Sequence, residues 1–135
     1  MARRTGLAPP AEGLVIGLGV LILGGTGAVL RFTSDRLVDR RLGYRSLWPV
    51  AIINLIGSLT IGIVTGLVLA GHLSTDSSTT LTAGLCGGFT TWSTASVDTV
   101  TLWRREQFWA GVTHSLGLLI VATGAAGLGL VLAGA

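Results

Sequence analysis

The chain has 135 residues, 50% of them hydrophobic and only 11% charged, with a mean hydropathy of +0.74. A soluble domain of this size cannot hide so much apolar surface, so lipid is the solvent for much of the chain. The formal charge of +3 comes entirely from arginines at the ends of apolar runs, with no basic patch interleaved with aromatics, which argues against a nucleic-acid partner.

The first thirteen residues, with Arg3, Arg4, Pro9 and Pro10, read as a flexible or surface-lying tail. Arg3 and Arg4 ahead of an apolar run mimic the start of a secretory signal. No small-residue cleavage site follows, so the run is kept as a spanning helix. A single transmembrane domain is expected over residues 14–134, built on four apolar segments. The first is Leu14 to Leu30, short for a span that needs about 20 residues. An arginine-rich connection, Arg31 to Leu47, follows it.

The second segment, Trp48 to Ala70, carries one conspicuous polar side chain, Asn54, inside the apolar run Ala51 to Ile56. An amide at membrane depth is unfavourable unless partnered. Two roles stay open: a hydrogen bond between helices, or two N–H donors for a passing ion. A polar connection, Gly71 to Ser78, leads to the third segment, Thr79 to Trp103. Its middle, Gly84-Leu85-Cys86-Gly87-Gly88-Phe89-Thr90-Thr91-Trp92-Ser93-Thr94, crowds glycines and hydroxyl residues where a continuous helix is disfavoured. Irregular backbone at membrane depth survives only inside protein or against a polar cavity. A broken helix is expected here; the alternative is a continuous, glycine-hinged helix whose hydroxyls bond their own backbone. Cys86, the lone cysteine, excludes an intrachain disulfide and reads as a small buried residue. Asp98, an acid within the span, calls for a partner.

Arg104 to Gln107 connects to the last segment, Phe108 to Leu132, in which His114 reads as a packed or interfacial residue. His72 and His114 have no metal-ligand spacing with Cys86. Glycine pairs four apart, Gly13/Gly17, Gly62/Gly66 and Gly84/Gly88, predict close helix packing, because in lipid van der Waals contact replaces the hydrophobic drive.

The stretch from Gly84 to Thr94 resembles the signature of the Fluc fluoride channels, also called the CrcB family. Gly24-Gly25-Thr26-Gly27-Ala28-Val29-Leu30-Arg31-Phe32 is similar to the family's first-helix motif, and Asn54-Leu55-Ile56-Gly57-Ser58 with Gly62 to its second-helix asparagine motif. The resemblance implies an all-α membrane protein of four transmembrane helices with a broken third helix. Two such subunits would pair antiparallel, as a dual-topology dimer with two fluoride pores. It implies a structural sodium ion at the dimer centre, bound by the backbone carbonyls of Gly87 and Thr90. An anion pathway is implied along Asn54, Trp92, Ser93 and Thr94, with Arg31 near a pore mouth, and so is passive fluoride export that lowers its cytoplasmic concentration. Arg31 is equally readable as a snorkelling arginine at a helix end.

The sequence also departs from the family pattern. Where the signature continues with two phenylalanines, Trp92 and Ala95 stand here, and alanine offers no ring edge. In the last helix the aligned positions Thr113, Gly117 and Val121 lack the family's run of hydroxyls. A non-conducting or partly conducting structural subunit of a heterodimeric channel is therefore the alternative. A four-helix multidrug exporter lacks the acid it would need in the first two segments, and no spacing of titratable groups supports an enzyme.

Topology follows from the arginines. Arg31, Arg36, Arg40, Arg41, Arg45, Arg104 and Arg105 fall on one side of four spans, against Arg3 and Arg4 on the other. Positive residues near helix ends favour the cytoplasm, so both termini are expected outside the cell membrane. That bias disfavours insertion both ways, so an oppositely oriented homologous subunit is favoured as partner, with the antiparallel homodimer as runner-up.

Overall fold

The computed structural model describes residues 10–42 and 47–134. The tail residues 1–9, with Arg3 and Arg4, and Arg45 in the first connection lie outside that set. Among the described residues every regular element is helical: α1 (Pro10–Leu42), α2 (Trp48–Leu69), α3 (Thr75–Thr79), a π-helical segment (Thr80–Cys86), α4 (Gly87–Phe89), α5 (Trp92–Arg104) and α6 (Phe108–Leu132). Three of them, α1, α2 and α6, are each long and apolar enough to cross a membrane. Between α2 and α6 lies a composite of α3, the π segment, α4 and α5, bent at Thr90–Thr91 and called the third crossing below. The chain is thus a multi-pass membrane protein.

Two expectations about the first crossing are corrected. Helix α1 begins at Pro10, inside the expected tail, and it does not end at Leu30. Residues 31–42, expected as a connection, continue the same helix. Local chemistry supports the extension: the Thr33 hydroxyl donates to the Val29 carbonyl at 2.8 Å, and the Arg36 guanidinium lies 5.1 Å from the Phe32 ring centroid, one turn back. Arg40 and Arg41 in the last turn suit the partial negative charge of a helix C-terminus. At 1.5 Å per residue α1 is roughly 50 Å long, well beyond a hydrocarbon core of about 30 Å.

Helix α2 starts with Pro49 in its first turn, where a missing N–H costs no hydrogen bond. It stops at a left-handed glycine, Gly71 at φ 77°. Ser74 then caps α3, accepting from the Ser77 N–H at 3.3 Å, so the third crossing begins within the expected loop. Between α5 and α6 the chain reverses through Glu106 at φ 61°, and the Trp103 and Phe108 rings stack across the turn at 5.7 Å.

Glycines set how the crossings pack. Along α1, Gly19 faces Thr80, Gly24 faces Gly84, and Gly27 faces the backbone of Leu85 and Phe89, so α1 and the third crossing run parallel. Similarly Gly62 faces Ala126, while Gly66 faces Leu130 and Ala133, which makes α2 and α6 a second parallel pair. A Cβ on Gly88 would land on the Gly24 carbonyl, and one on Gly62 on the Ala126 carbonyl. Close packing therefore holds for Gly62/Gly66 and Gly84/Gly88. It does not hold for Gly13/Gly17, which have no neighbour within 4 Å in this chain.

The buried interior is thin and made of small or medium side chains: Val50, Ile53, Val64, Cys86, Ala95, Leu118 and Ala125. Large apolar residues such as Leu21 (73% exposed) and Ile120 (69%) point outward, as expected of a surface covered by lipid or another subunit.

Candidate functional site

The break in the third crossing is made by two threonines. The break expected within Gly84 to Thr94 is present; Gly87, Gly88 and Phe89 before it are helical, with Gly88 packed against the Gly24 carbonyl of α1. Thr90 leaves the helix at ψ 160° and Thr91 is fully extended at φ −147°, ψ 121°. Such an interruption strands backbone groups that a continuous helix would pair.

Asn54, on α2, meets these stranded groups. Its Oδ1 accepts the Thr91 N–H at 3.0 Å, while its Nδ2 donates to the Thr91 carbonyl at 3.0 Å and to the Val50 carbonyl at 3.0 Å. Both N–H bonds of the amide are thus in use, and one side chain pairs with both backbone groups of Thr91. Three residues along α2, Gly57 leaves room for the Thr90 methyl, which a Cβ there would overlap. Asn54 and Gly57 together form the seat for the break.

On its other side Thr91 caps α5. Its hydroxyl accepts the Thr94 N–H at 3.2 Å and lies 3.0 Å from the Thr94 hydroxyl and 3.2 Å from that of Ser93. The helix N-terminus and this hydroxyl cluster give a local positive potential. Among the carbonyls that lose their usual helical donors at the break are those of Gly87 and Thr90. The Thr91 N–H, four residues after Gly87, goes to Asn54, and the Thr94 N–H, four residues after Thr90, goes to the Thr91 hydroxyl. Uncharged backbone oxygens of this kind suit a hard cation.

Beside the break runs an open groove of about 270 Å³, walled by Asn54, Ser58 and Ile61 of α2, by Thr90, Thr91 and Trp92, and by Leu118, Leu119 and Ala122 of α6. The structure thus brings Asn54, Thr90 and Trp92 together, with Trp92 72% exposed. Ser93 and Thr94 join them through the Thr91 hydroxyl and do not line the groove. Gly87 is exposed on the chain's surface. Arg31 stands apart: it lies on α1, one turn past Gly27, half-buried, and forms no part of the groove wall. Ala95 is buried against Val50 and Leu118.

Thr91, Gly57 and Ser58 were missed as site residues by sequence reasoning. For Thr91 a signal existed, since threonine is a favoured N-cap and a helical segment was open to start just after it. Further toward the α5 C-terminus, Asp98 Oδ2 and His114 Nε2 are buried without a hydrogen-bond partner among the described residues, as is Arg31 Nε. Asp98 lies within electrostatic reach of His114 and of Asp35 and Asp39. Cys86 is buried, as expected. No cluster of three metal-ligating side chains exists among the described residues.

Residues 18–135 match the family model described as CrcB-like protein, camphor resistance. A protein named fluoride-specific ion channel FluC 1, from Leifsonia xyli subsp. xyli, is 39% identical over 117 residues, covering 87% of this chain and 85% of that protein. FluC 2 of Cutibacterium acnes is 39% identical over 117 residues, covering 85% of this chain and 94% of the relative. FluC of Thermus thermophilus is 34% identical over 122 residues, covering 90% and 94%.

Proposed function

The chain belongs to the CrcB family, and from that premise we propose that it is a subunit of a fluoride-specific ion channel that lets fluoride leave the cytoplasm passively. One observation carries the ion's identity: the near full-length similarity to relatives named as fluoride-specific channels. The chemistry of the break agrees with it. Fluoride is small and strongly hydrated, and sheds water only where hydrogen-bond donors replace it. A groove with hydroxyls and a helix N-terminus at its side, in an otherwise apolar molecule, supplies such a place. No enzymatic machinery is involved.

The anion pathway runs along the groove past Asn54 and Trp92, with the Ser93 and Thr94 hydroxyls joined to it through Thr91, and Arg31, outside the groove wall, raises the anion concentration on its approach. The channel is an antiparallel pair of subunits in the cell membrane, with the termini of this chain outside. The favoured partner is a separate, oppositely inserted homologue. The freed carbonyls of Gly87 and Thr90, with their counterparts in the partner, hold one structural sodium ion. Two carbonyls from one chain are too few for a hard cation, and Gly87 is exposed where a second subunit can reach it. When bound, the ion supplies positive charge between the subunits and ties them together.

A second reading, a structural subunit that conducts partly or not at all, draws on the α6 wall of the groove. That wall offers only Leu118, Leu119 and Ala122, without a hydroxyl. Fluoride efflux from vesicles holding this chain alone, then with an oppositely inserted homologue, separates the two. Flux in either preparation supports a channel subunit. Flux that is the same with a pore-blocked version of this chain assigns conduction to the partner, and no flux in any preparation overturns the proposal.

A further inference from the structure

We infer that Asn54 is a positioning residue for the cation site: by drawing the Thr91 N–H and C=O onto its own amide, it keeps the Gly87 carbonyl out of a helical hydrogen bond. This inference rests on the proposed sodium site and assigns Asn54 a task other than binding the anion.

In an uninterrupted helix the Thr91 N–H would donate to Gly87, four residues back. Here it donates to Asn54 Oδ1 at 3.0 Å, and the Thr91 carbonyl is held by Asn54 Nδ2 at 3.0 Å. The amide acts as a one-residue stand-in for a neighbouring β-strand, and Thr91 accordingly has extended dihedrals. Its second N–H is tied to the Val50 carbonyl within α2, which fixes the side-chain rotamer. No N–H of Asn54 remains free to donate to an ion in the groove. Gly57, one turn further along the same helix face, accepts the Thr90 methyl and so sets the height of the break against α2. Gly87 and Thr90, whose carbonyls are among those freed by the break, both precede the residue that Asn54 holds, Thr90 directly and Gly87 by one helical turn. A side chain that fixes the orientation of a metal's ligands controls the affinity for the metal.

The test uses the assembled channel, purified free of sodium with N-methyl-glucamine as the replacement cation. Sodium is titrated back while the melting temperature of the assembly is read, and fluoride efflux from vesicles is measured separately. Asn54→Leu should raise the half-stabilising sodium concentration by about tenfold or more. Should Asn54→Leu fail to assemble, Asn54→Ser, too short to reach both Thr91 groups, is read in the same way. Unchanged sodium dependence in the Asn54 variants would overturn the inference. A wild-type channel that carries fluoride without any sodium dependence overturns it while leaving the transport proposal intact. Sodium dependence without fluoride flux does the reverse.

Discussion

Thr91 holds the break from two sides, since its backbone faces Asn54 while its hydroxyl caps α5. Valine keeps the shape of threonine and suits its extended dihedrals, so Thr91→Val isolates the cap. The loss is about 1 kcal/mol, which should speed amide exchange at Thr94 about fivefold. Mass-spectrometric hydrogen exchange on the assembled channel measures it; unchanged exchange would show that the hydroxyl is not the cap. Ala95 permits a second substitution. A phenylalanine placed there, to match the family pattern, would have to enter the space held by Val50 and Leu118. Ala95→Phe should therefore destabilise the chain by about 1–3 kcal/mol, read as a lower melting temperature, and should not increase fluoride flux. At this scale the sequence shows which residues are unusual for a membrane span, Asn54 among them. It does not show that Asn54 and Thr91, 37 positions apart, satisfy each other, because that pairing depends on the packing of α2 against the break.

Among the elements, glycine propensity misleads where packing decides. Gly87 and Gly88 disfavour helix by about 1 kcal/mol each, yet both are helical, Gly88 in backbone contact with α1, and the break expected within Gly84 to Thr94 falls just after them at Thr90–Thr91. The hydropathy of the apolar runs was legible almost to the residue: Phe108 to Leu132 is α6, and Trp48 to Ala70 differs from α2 by one position. The polar continuation of α1 was not legible, since a charged helix outside the lipid has no apolar run to mark its end. These differences give a paired prediction. Gly88→Ala and Gly62→Ala place a methyl against a carbonyl of another helix, which cannot move aside as a flexible side chain would. Each should cost about 1–3 kcal/mol and lower the melting temperature. Gly17→Ala meets no atom within 4 Å of its Cβ in this chain, and by helix propensity should leave stability unchanged or raise it by up to about 1 kcal/mol. Equal melting temperatures for all three variants would remove close approach as the reason for these glycines.

For the molecule as a whole, orientation is decided by where the arginines end up. Helix α1 runs parallel to the third crossing and α2 parallel to α6, so with short reversals at Gly71 and Glu106 the chain passes back and forth four times. The C-terminal end of α1, the start of α2, the end of α5 and the start of α6 share one side. Extending α1 to Leu42 strengthens the bias, because Arg36, Arg40 and Arg41 are carried on a rigid helix beyond the apolar run. Arg104 closes α5 on the same side, followed by Arg105. Asp35 and Asp39 lie there too, but acids weigh little in topology. A homodimer of antiparallel subunits needs one sequence to insert both ways, and seven arginines against two oppose that. The expected outcome is one orientation: a reporter fused to the C-terminus should be found only outside the cell. Replacing Arg36, Arg40, Arg41, Arg104 and Arg105 with glutamine should produce a mixed population. Equal internal and external populations of the unaltered chain, together with fluoride transport by this chain purified alone, would establish the homodimer instead.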